Sequence, residues 1–301
     1  MRSKIEQNGS KKGFTIVELL VVMSIIMILL GLLLPAFNKV KRYAKKLSQN
    51  AQFHGIEAGL EMFKNDFEVY PDSDRYDLNL QEYCGAMKLT EAMMGQDLLG
   101  FHPDSLLNCD DKQPDNPNWT NGLYPDPFDP ENIPEDLKNL RARKGPYVTV
   151  ENARAHKLTQ MYLNTKEFSC DGPKYMLCDV YARITNLALD EGGDKKIGMP
   201  ILYYKADVSK ILHDWTEFQK SIYNFEDNHK LVELGVPWDP AIVHPLFQDP
   251  PGGQGELFYT ITRNKDIEVI DRPVLDEGYI LISAGFDGLY GTDDDIYNFS
   301  N

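Results

Sequence analysis

Three observations predict an α+β fold: an N-terminal apolar run long enough to cross a membrane, an amphipathic helical pattern continuing from it, and a loop-rich remainder with short strand-like segments. From Phe14 to Phe37 the chain reads FTIVELLVVMSIIMILLGLLLPAF, interrupted only by Thr15, Glu18, Ser24, Gly31 and Pro35. At the α-helical rise these positions span about 36 Å, against a hydrocarbon core of about 30 Å. The run is apolar on every side, unlike a helix of a soluble bundle. A cleaved secretory signal would have a shorter apolar core followed by small residues, whereas here Lys and Arg follow.

Beyond Pro35 the apolar positions Val40, Tyr43, Leu47, Ile56, Leu60, Phe63 and Phe67 recur at helical spacings among Lys, Gln and Glu. An amphipathic helix is therefore expected to about Phe67, stopping before Tyr70-Pro71. Pro35 removes one helical hydrogen bond and is expected to kink or loosen the rod. Strands are predicted at Tyr147–Val150, Tyr175–Ile184, Ile201–Lys205, Leu257–Thr262 and Tyr279–Ser283, and helices at Gln81–Leu99, Ala153–Leu163 and Val208–Tyr223. Seven prolines between Pro103 and Pro134, mixed with Asp and Asn, mark an irregular excursion.

The formal net charge of −15 divides unevenly along the chain. Residues 1–50 hold nine basic side chains against Glu6 and Glu18, a surplus of +7, which leaves −22 for residues 51–301. So acidic a body excludes a nucleic-acid-binding surface, which needs clustered Lys and Arg. Four basic residues precede the apolar run and five follow closely, so charge alone does not orient it in a membrane.

A carboxylate inside an apolar span requires a reason, and Glu18 stands in one. Its surroundings are Lys11-Lys12-Gly13-Phe14-Thr15-Ile16-Val17-Glu18-Leu19-Leu20. This segment closely resembles the cleavage and methylation region of type IV prepilins and of type II secretion pseudopilins. The resemblance implies a cytoplasmic leader, 1–13, cut by a prepilin peptidase between Gly13 and Phe14, and methylation of the new Phe14 amine. It also implies assembly roles for Glu18 and Pro35, the fifth and twenty-second residues of the mature chain. A transmembrane half (14–37), an amphipathic half (38–71) and an extracytoplasmic head (72–301) would follow, the helix packing on an antiparallel sheet in pilin-like fashion.

Asp66-Phe67-Glu68-Val69-Tyr70-Pro71 and Gly198-Met199-Pro200-Ile201-Leu202-Tyr203-Tyr204 resemble further parts of major pseudopilins. So does the acidic C-terminal loop, 285–296, which binds calcium in that family. Asp287, Asp293 and Asp295 are the expected Ca2+ ligands, calcium preferring six to eight oxygens; a solvated acidic turn is the alternative. Residues 75–255 depart from the family and read as an insertion in a chain about twice the usual size.

All four cysteines, Cys84, Cys109, Cys170 and Cys178, lie in the expected extracytoplasmic head. Cys170 and Cys178 are close enough to bridge a hairpin, with free buried cysteines as the alternative. No HExxH, GxSxG or phosphate-binding glycine loop occurs, so no enzyme is expected. The expected function is that of a pilin-like subunit of a pseudopilus or pilus. Its expected partners are prepilin peptidase, other pilin or pseudopilin subunits, the secretion or pilus assembly machinery, and the inner membrane. The alternative is a membrane-anchored extracytoplasmic binding or adhesion protein that uses the N-terminus as an address.

Overall fold

The computed structural model describes residues 13–110, 122–124, 133–163, 165, 168, 175–185, 196–239, 241–246 and 255–299. The chain divides into two units, one ending at Ala44 and one beginning at Lys45. Helix α1, Ile16–Phe67, supplies most of the described part of the first unit and continues into the second, with Pro35 inside the helix. In the first unit its apolar side chains are exposed, from Ile16 to Val40. Among the described residues this helix alone is long and apolar enough to cross a membrane.

In the second unit α1 buries Phe53, Ile56, Leu60 and Phe63 at helical spacing. The expected stripe is thus confined to the last five turns: Val40, Tyr43 and Leu47 are exposed. Two amides replace them. Gln52 Nε2 donates to the carbonyls of Asn152 (3.0 Å) and Cys178 (2.9 Å), and Gln49 Oε1 accepts the Val180 N–H at 3.0 Å. Lys45 Nζ donates to the Val180 carbonyl at 2.8 Å. Three polar residues on one helix face therefore satisfy backbone groups of Asn152, Cys178 and Val180. At the helix end Glu68 takes φ +67, its N–H bonded to the Lys64 carbonyl at 2.7 Å.

Helix α2, Gly85–Met94, is buried along its whole length. It is shorter than the expected Gln81–Leu99 because the chain must turn at Gly95 (φ +79), where a Cβ would stand 2.1 Å from the Gly100 carbonyl oxygen. Helix α3 covers Ile133–Ala142. The expected strand Tyr147–Val150 is instead a loop running into α4, Val150–Ala153, which Arg154 stops in the left-handed region (φ +48). The expected helix Ala153–Leu163 is therefore replaced by strand β1, Ala155–Lys157, and a 3-10 turn.

Among the described residues three small antiparallel sheets take the place of the single expected one. β1 pairs with β2, Tyr175–Leu177; β3, Ile184–Thr185, pairs with β4, Lys196–Ile197. The third has the order β5 (Leu202–Lys205), β6 (Tyr279–Ser283), β7 (Ile296–Tyr297), with Tyr203 opposite Leu281 and Ser283 opposite Ile296. Every residue of β6 is buried, so this sheet is covered on both faces. Tyr203, Tyr279 and Leu281 pack with the buried stripe of α1, and Tyr204, Ile280 and Ile282 pack with Tyr223, Phe258 and Tyr290.

The second cover comes from the expected insertion and its neighbours. Val208–Tyr223 is not one helix but turns and a 3-10 segment, Trp215–Lys220, begun by Asp214 accepting the Thr216 N–H at 2.8 Å. A short α5, His229–Glu233, follows. The expected strand Leu257–Thr262 is helix α6, Glu256–Thr262. Phe258, Tyr259 and Thr262 face inward at helical spacing, and this burial overrides the strand preference of its aromatic and β-branched residues.

Candidate functional site

Gly13, Phe14 and Thr15 precede α1, and Thr15 and Glu18 cap one another. The Glu18 amide donates to Thr15 Oγ1 at 3.2 Å, while Thr15 N–H and Oγ1 donate to Glu18 Oε2 at 2.9 and 2.7 Å. This is the reciprocal T-x-x-E capping box, satisfying donors that the first helical turn leaves open. It was legible in the sequence as Thr15-Ile16-Val17-Glu18 but is not one of the readings made above. Both bonds fall on Oε2, so among the described residues Oε1 is left for a further partner. Phe14 is 81% exposed, and a Cβ added at Gly13 would meet nothing within 4 Å. The fold therefore makes no demand for glycine at position 13. Ser24 satisfies its hydroxyl on the Val21 carbonyl at 2.7 Å, a local bond suited to an apolar surrounding.

The acidic C-terminal loop is closed by its own carboxylates. Asp294 accepts the Asp287 N–H (2.9 Å) and the Thr292 hydroxyl (2.8 Å), Asp287 accepts the Leu289 N–H (2.8 Å), and Asp295 Oδ2 accepts from Gly291 N–H (2.7 Å) and Tyr297 OH (3.1 Å). Gly285 is required here, since a Cβ would stand 2.1 Å from the Asp294 carbonyl oxygen. Burial raises Asp287 and pushes Asp295 up to about 8; burial also opposes ionisation of Asp294, but the bonds from Thr292 and Asp287 hold it low. Asp293 is exposed. Among the described residues no three His, Cys, Asp or Glu side chains converge to hold a metal ion. The donors are nevertheless all oxygen, as calcium prefers, and Asp295 Oδ1 is buried with no hydrogen-bond partner.

The expected Cys170–Cys178 bridge is not formed. Cys178 is a free, buried thiol whose Sγ lies 3.7 Å from Met161 Sδ, within the core that β2 helps to build. Cys84 is also free and buried, and Cys109 is disulfide-bonded. Cys170 lies outside the described residues.

Buried acids, Glu91, Asp179 and Asp227 among them, escaped the sequence reading, which had no means to rank one carboxylate above another. Glu91 accepts from the hydroxyls of Ser105 (2.6 Å), Tyr124 (2.8 Å) and Tyr83 (2.6 Å). Asp179 accepts from Tyr181 N–H (2.9 Å), Met199 N–H (3.2 Å) and Ser283 Oγ (3.0 Å), and burial pushes it up to about 7. Asp227 accepts from Ser73 Oγ, but its Oδ1 has no partner, and burial raises it well above the usual carboxylate range.

Residues 8–34 match the prokaryotic N-terminal methylation motif. The chain thus carries the N-terminal signature characteristic of prepilin and pseudopilin family proteins, a structural rather than an enzymatic class. No curated protein and no solved structure matches the chain.

Proposed function

We propose that the protein is a prepilin-like structural subunit, cut by prepilin peptidase between Gly13 and Phe14, methylated on Phe14, and assembled into a pseudopilus or a type IV pilus-like filament. The observation that carries this reading is the methylation motif over residues 8–34, with Glu18 as the one acid of the apolar stretch Phe14–Phe37. The leader would face the cytoplasm, residues 14–37 would cross the inner membrane once, and the head would lie outside.

Assembly then has a physical cause. Cleavage creates a cationic amine on Phe14. A neighbouring subunit presents that amine to Glu18, whose Oε2 is already held by Thr15 and whose Oε1 is open. In a low-dielectric surrounding such a pairing relieves two costly charges at once. The exposed apolar face of α1 is covered in the same event, by helices of other subunits in place of lipid. In the C-terminal loop a Ca2+ ion would satisfy the buried Asp295 Oδ1, with Asp287 and Asp293 the further carboxylates of the turn, and would brace the loop.

The test is Glu18→Ala in cells that supply the assembly machinery. Filaments in the sheared extracellular fraction are expected to be lost while the cleaved subunit accumulates in the membrane. Filaments at the normal level would overturn the pairing role of Glu18.

A further inference from the structure

Helix α1 carries a second apolar stripe, Val40, Tyr43 and Leu47, spaced by three and four residues and more than half exposed. Leu47 lies nine residues before Ile56, about two and a half helical turns, and so stands on the side of α1 opposite the one that packs on the head. Its own head core does not extend to it. Hydrocarbon does not suit the stripe either, because Lys39, Lys41, Arg42, Lys45 and Lys46 are interleaved with it and no acid occurs between Asn38 and Gln49. A partner for it needs an apolar seat and acidic surroundings.

The second unit presents such a seat, an open groove of about 470 Å³ at the end of α1. Phe63 and Phe101, both buried, line it together with Val69, Leu78 and Leu106, each more than half exposed. Five acids, Asp66, Glu68, Asp72, Asp77 and Asp104, line it or adjoin its lining residues, against Lys64 and Lys205 in the same positions. Asp72 is taken by Lys88 at 3.2 Å, but Glu68 and Asp104 are exposed and, among the described residues, in no ion pair.

Backbone strain marks the same groove. Leu106 and Leu107 hold φ of +50 and +53, a region that is costly for leucine. Burial in the head offsets that cost for Leu107, 8% exposed, but not for Leu106. A leucine held in a strained conformation with its side chain in the open is accounted for when something else covers it.

We propose that this groove receives the Val40, Tyr43 and Leu47 stripe of a second copy of the chain. An amphipathic helix then lies in an apolar groove, and Lys39 and Lys46, which flank the stripe along one edge, meet the acidic rim. A chain cannot fill its own groove in this way, because Leu47 precedes Phe63 by 16 residues of one helix, about 24 Å. The inference rests on the assembly reading above and adds to it a head-to-helix contact that Glu18 does not provide.

The test uses two differently tagged full-length copies in cells that supply the assembly machinery, one with Leu78→Cys and the other with Val40→Cys, Tyr43→Cys or Leu47→Cys in turn. They are treated with a short bis-maleimide while filaments are scored in the sheared fraction; the free thiols Cys84 and Cys178 are buried and do not compete. A mixed dimer with at least one stripe variant is expected, and none when Leu163→Cys, exposed on the head outside the groove, replaces Leu78→Cys. Tyr43→Asp, at an exposed position, is expected to lower filament yield several-fold while the cleaved subunit accumulates. Filaments without any mixed dimer, or with equal cross-linking from Leu163→Cys, would overturn the docking and leave the assembly reading standing. No filaments from the unsubstituted chain would overturn both. Labelling of the Tyr43→Cys site by a maleimide-bearing lipid, with no cross-link to a head, would assign the stripe to the membrane surface and overturn the proposal.

Discussion

Between Ile16 and Leu34 helix α1 shows Ile, Leu, Val and Met to the surroundings, Ile16 at 83% exposure and Leu29 at 60%, whereas Phe53, Ile56, Leu60 and Phe63 of the same helix are at most 3% exposed. One helix thus carries two apolar surfaces with different fates. Among the described residues the earlier one has no partner, and under the proposed function it is covered by lipid or other subunits. The later one is covered by α2 and by β5 and β6, and the cover depends on polar residues: Gln49 and Gln52 are as deeply buried as the core they flank. Apolar composition does not separate these roles. Whether polar side chains are buried alongside does, because only a docked helix must satisfy the backbone it covers.

The largest effect that breaks this contrast is expected from core truncation. Leu60→Ala should lower head stability by about 2–5 kcal/mol, since Leu60 has no exposed surface. Leu29→Ala should leave the head transition where it is. Thermal unfolding of both purified variants in detergent checks this; equal shifts would mean the two stretches do not differ. A smaller loss, about 1–3 kcal/mol, is expected for Gln52→Leu, which keeps the volume roughly constant but strands the Asn152 and Cys178 carbonyls. Urea unfolding monitored by tyrosine fluorescence would register it.

The smallest effect is a pH dependence confined to the second unit. Asp179 and Asp295 are raised by burial to about 7 and about 8, so the folded head keeps protons that the unfolded chain releases above about pH 4. Their contribution is complete in acid and is lost as pH rises through 7 and 8. His213 and His244, lowered by burial to about 4, act oppositely: their contribution grows from about pH 4 to 6.5 and is then constant. Above pH 6.5 these two histidines no longer add a slope, so the head transition should fall from pH 6.5 to 8, by at most about 1.4 kcal/mol per pH unit for each of Asp179 and Asp295. Asp295→Asn should flatten part of this fall. Millimolar Ca2+ should do the same in the native chain by taking the proton's place on Asp295. A transition that rises between pH 6.5 and 8 would contradict the assignment.

Much of the first unit was legible because its signals are local. The apolar run, the basic flanks and the G-F-T-x-x-E order are read within one stretch, and the end of α1 at Phe67 followed from Tyr70-Pro71. In the head, β5 and β6 were legible because strand preference and burial agree in Leu202–Lys205 and Tyr279–Ser283. Leu257–Thr262 was misread because they disagree, and Val40, Tyr43 and Leu47 because spacing cannot tell whether a stripe has anything to pack on. The buried acids Glu91, Asp179 and Asp227 gave no local signal at all. Their partners come from 14 residues away in one case and more than 100 in others.

Residues 75–255 also read differently in three dimensions. They supply α2, β5 and the Tyr223 side of the core, so they are not an appendage that leaves the rest intact when removed. Deleting them would unfold the head rather than isolate the assembly role.

The central claim is that the first unit is a processed assembly helix. Mass spectrometry of the N-terminus of the chain purified from cells containing prepilin peptidase tests it most directly. The account predicts a chain that begins at Phe14 and carries a methyl group on that amine. A chain that still holds residues 1–13, or that is cut at another bond, would contradict it.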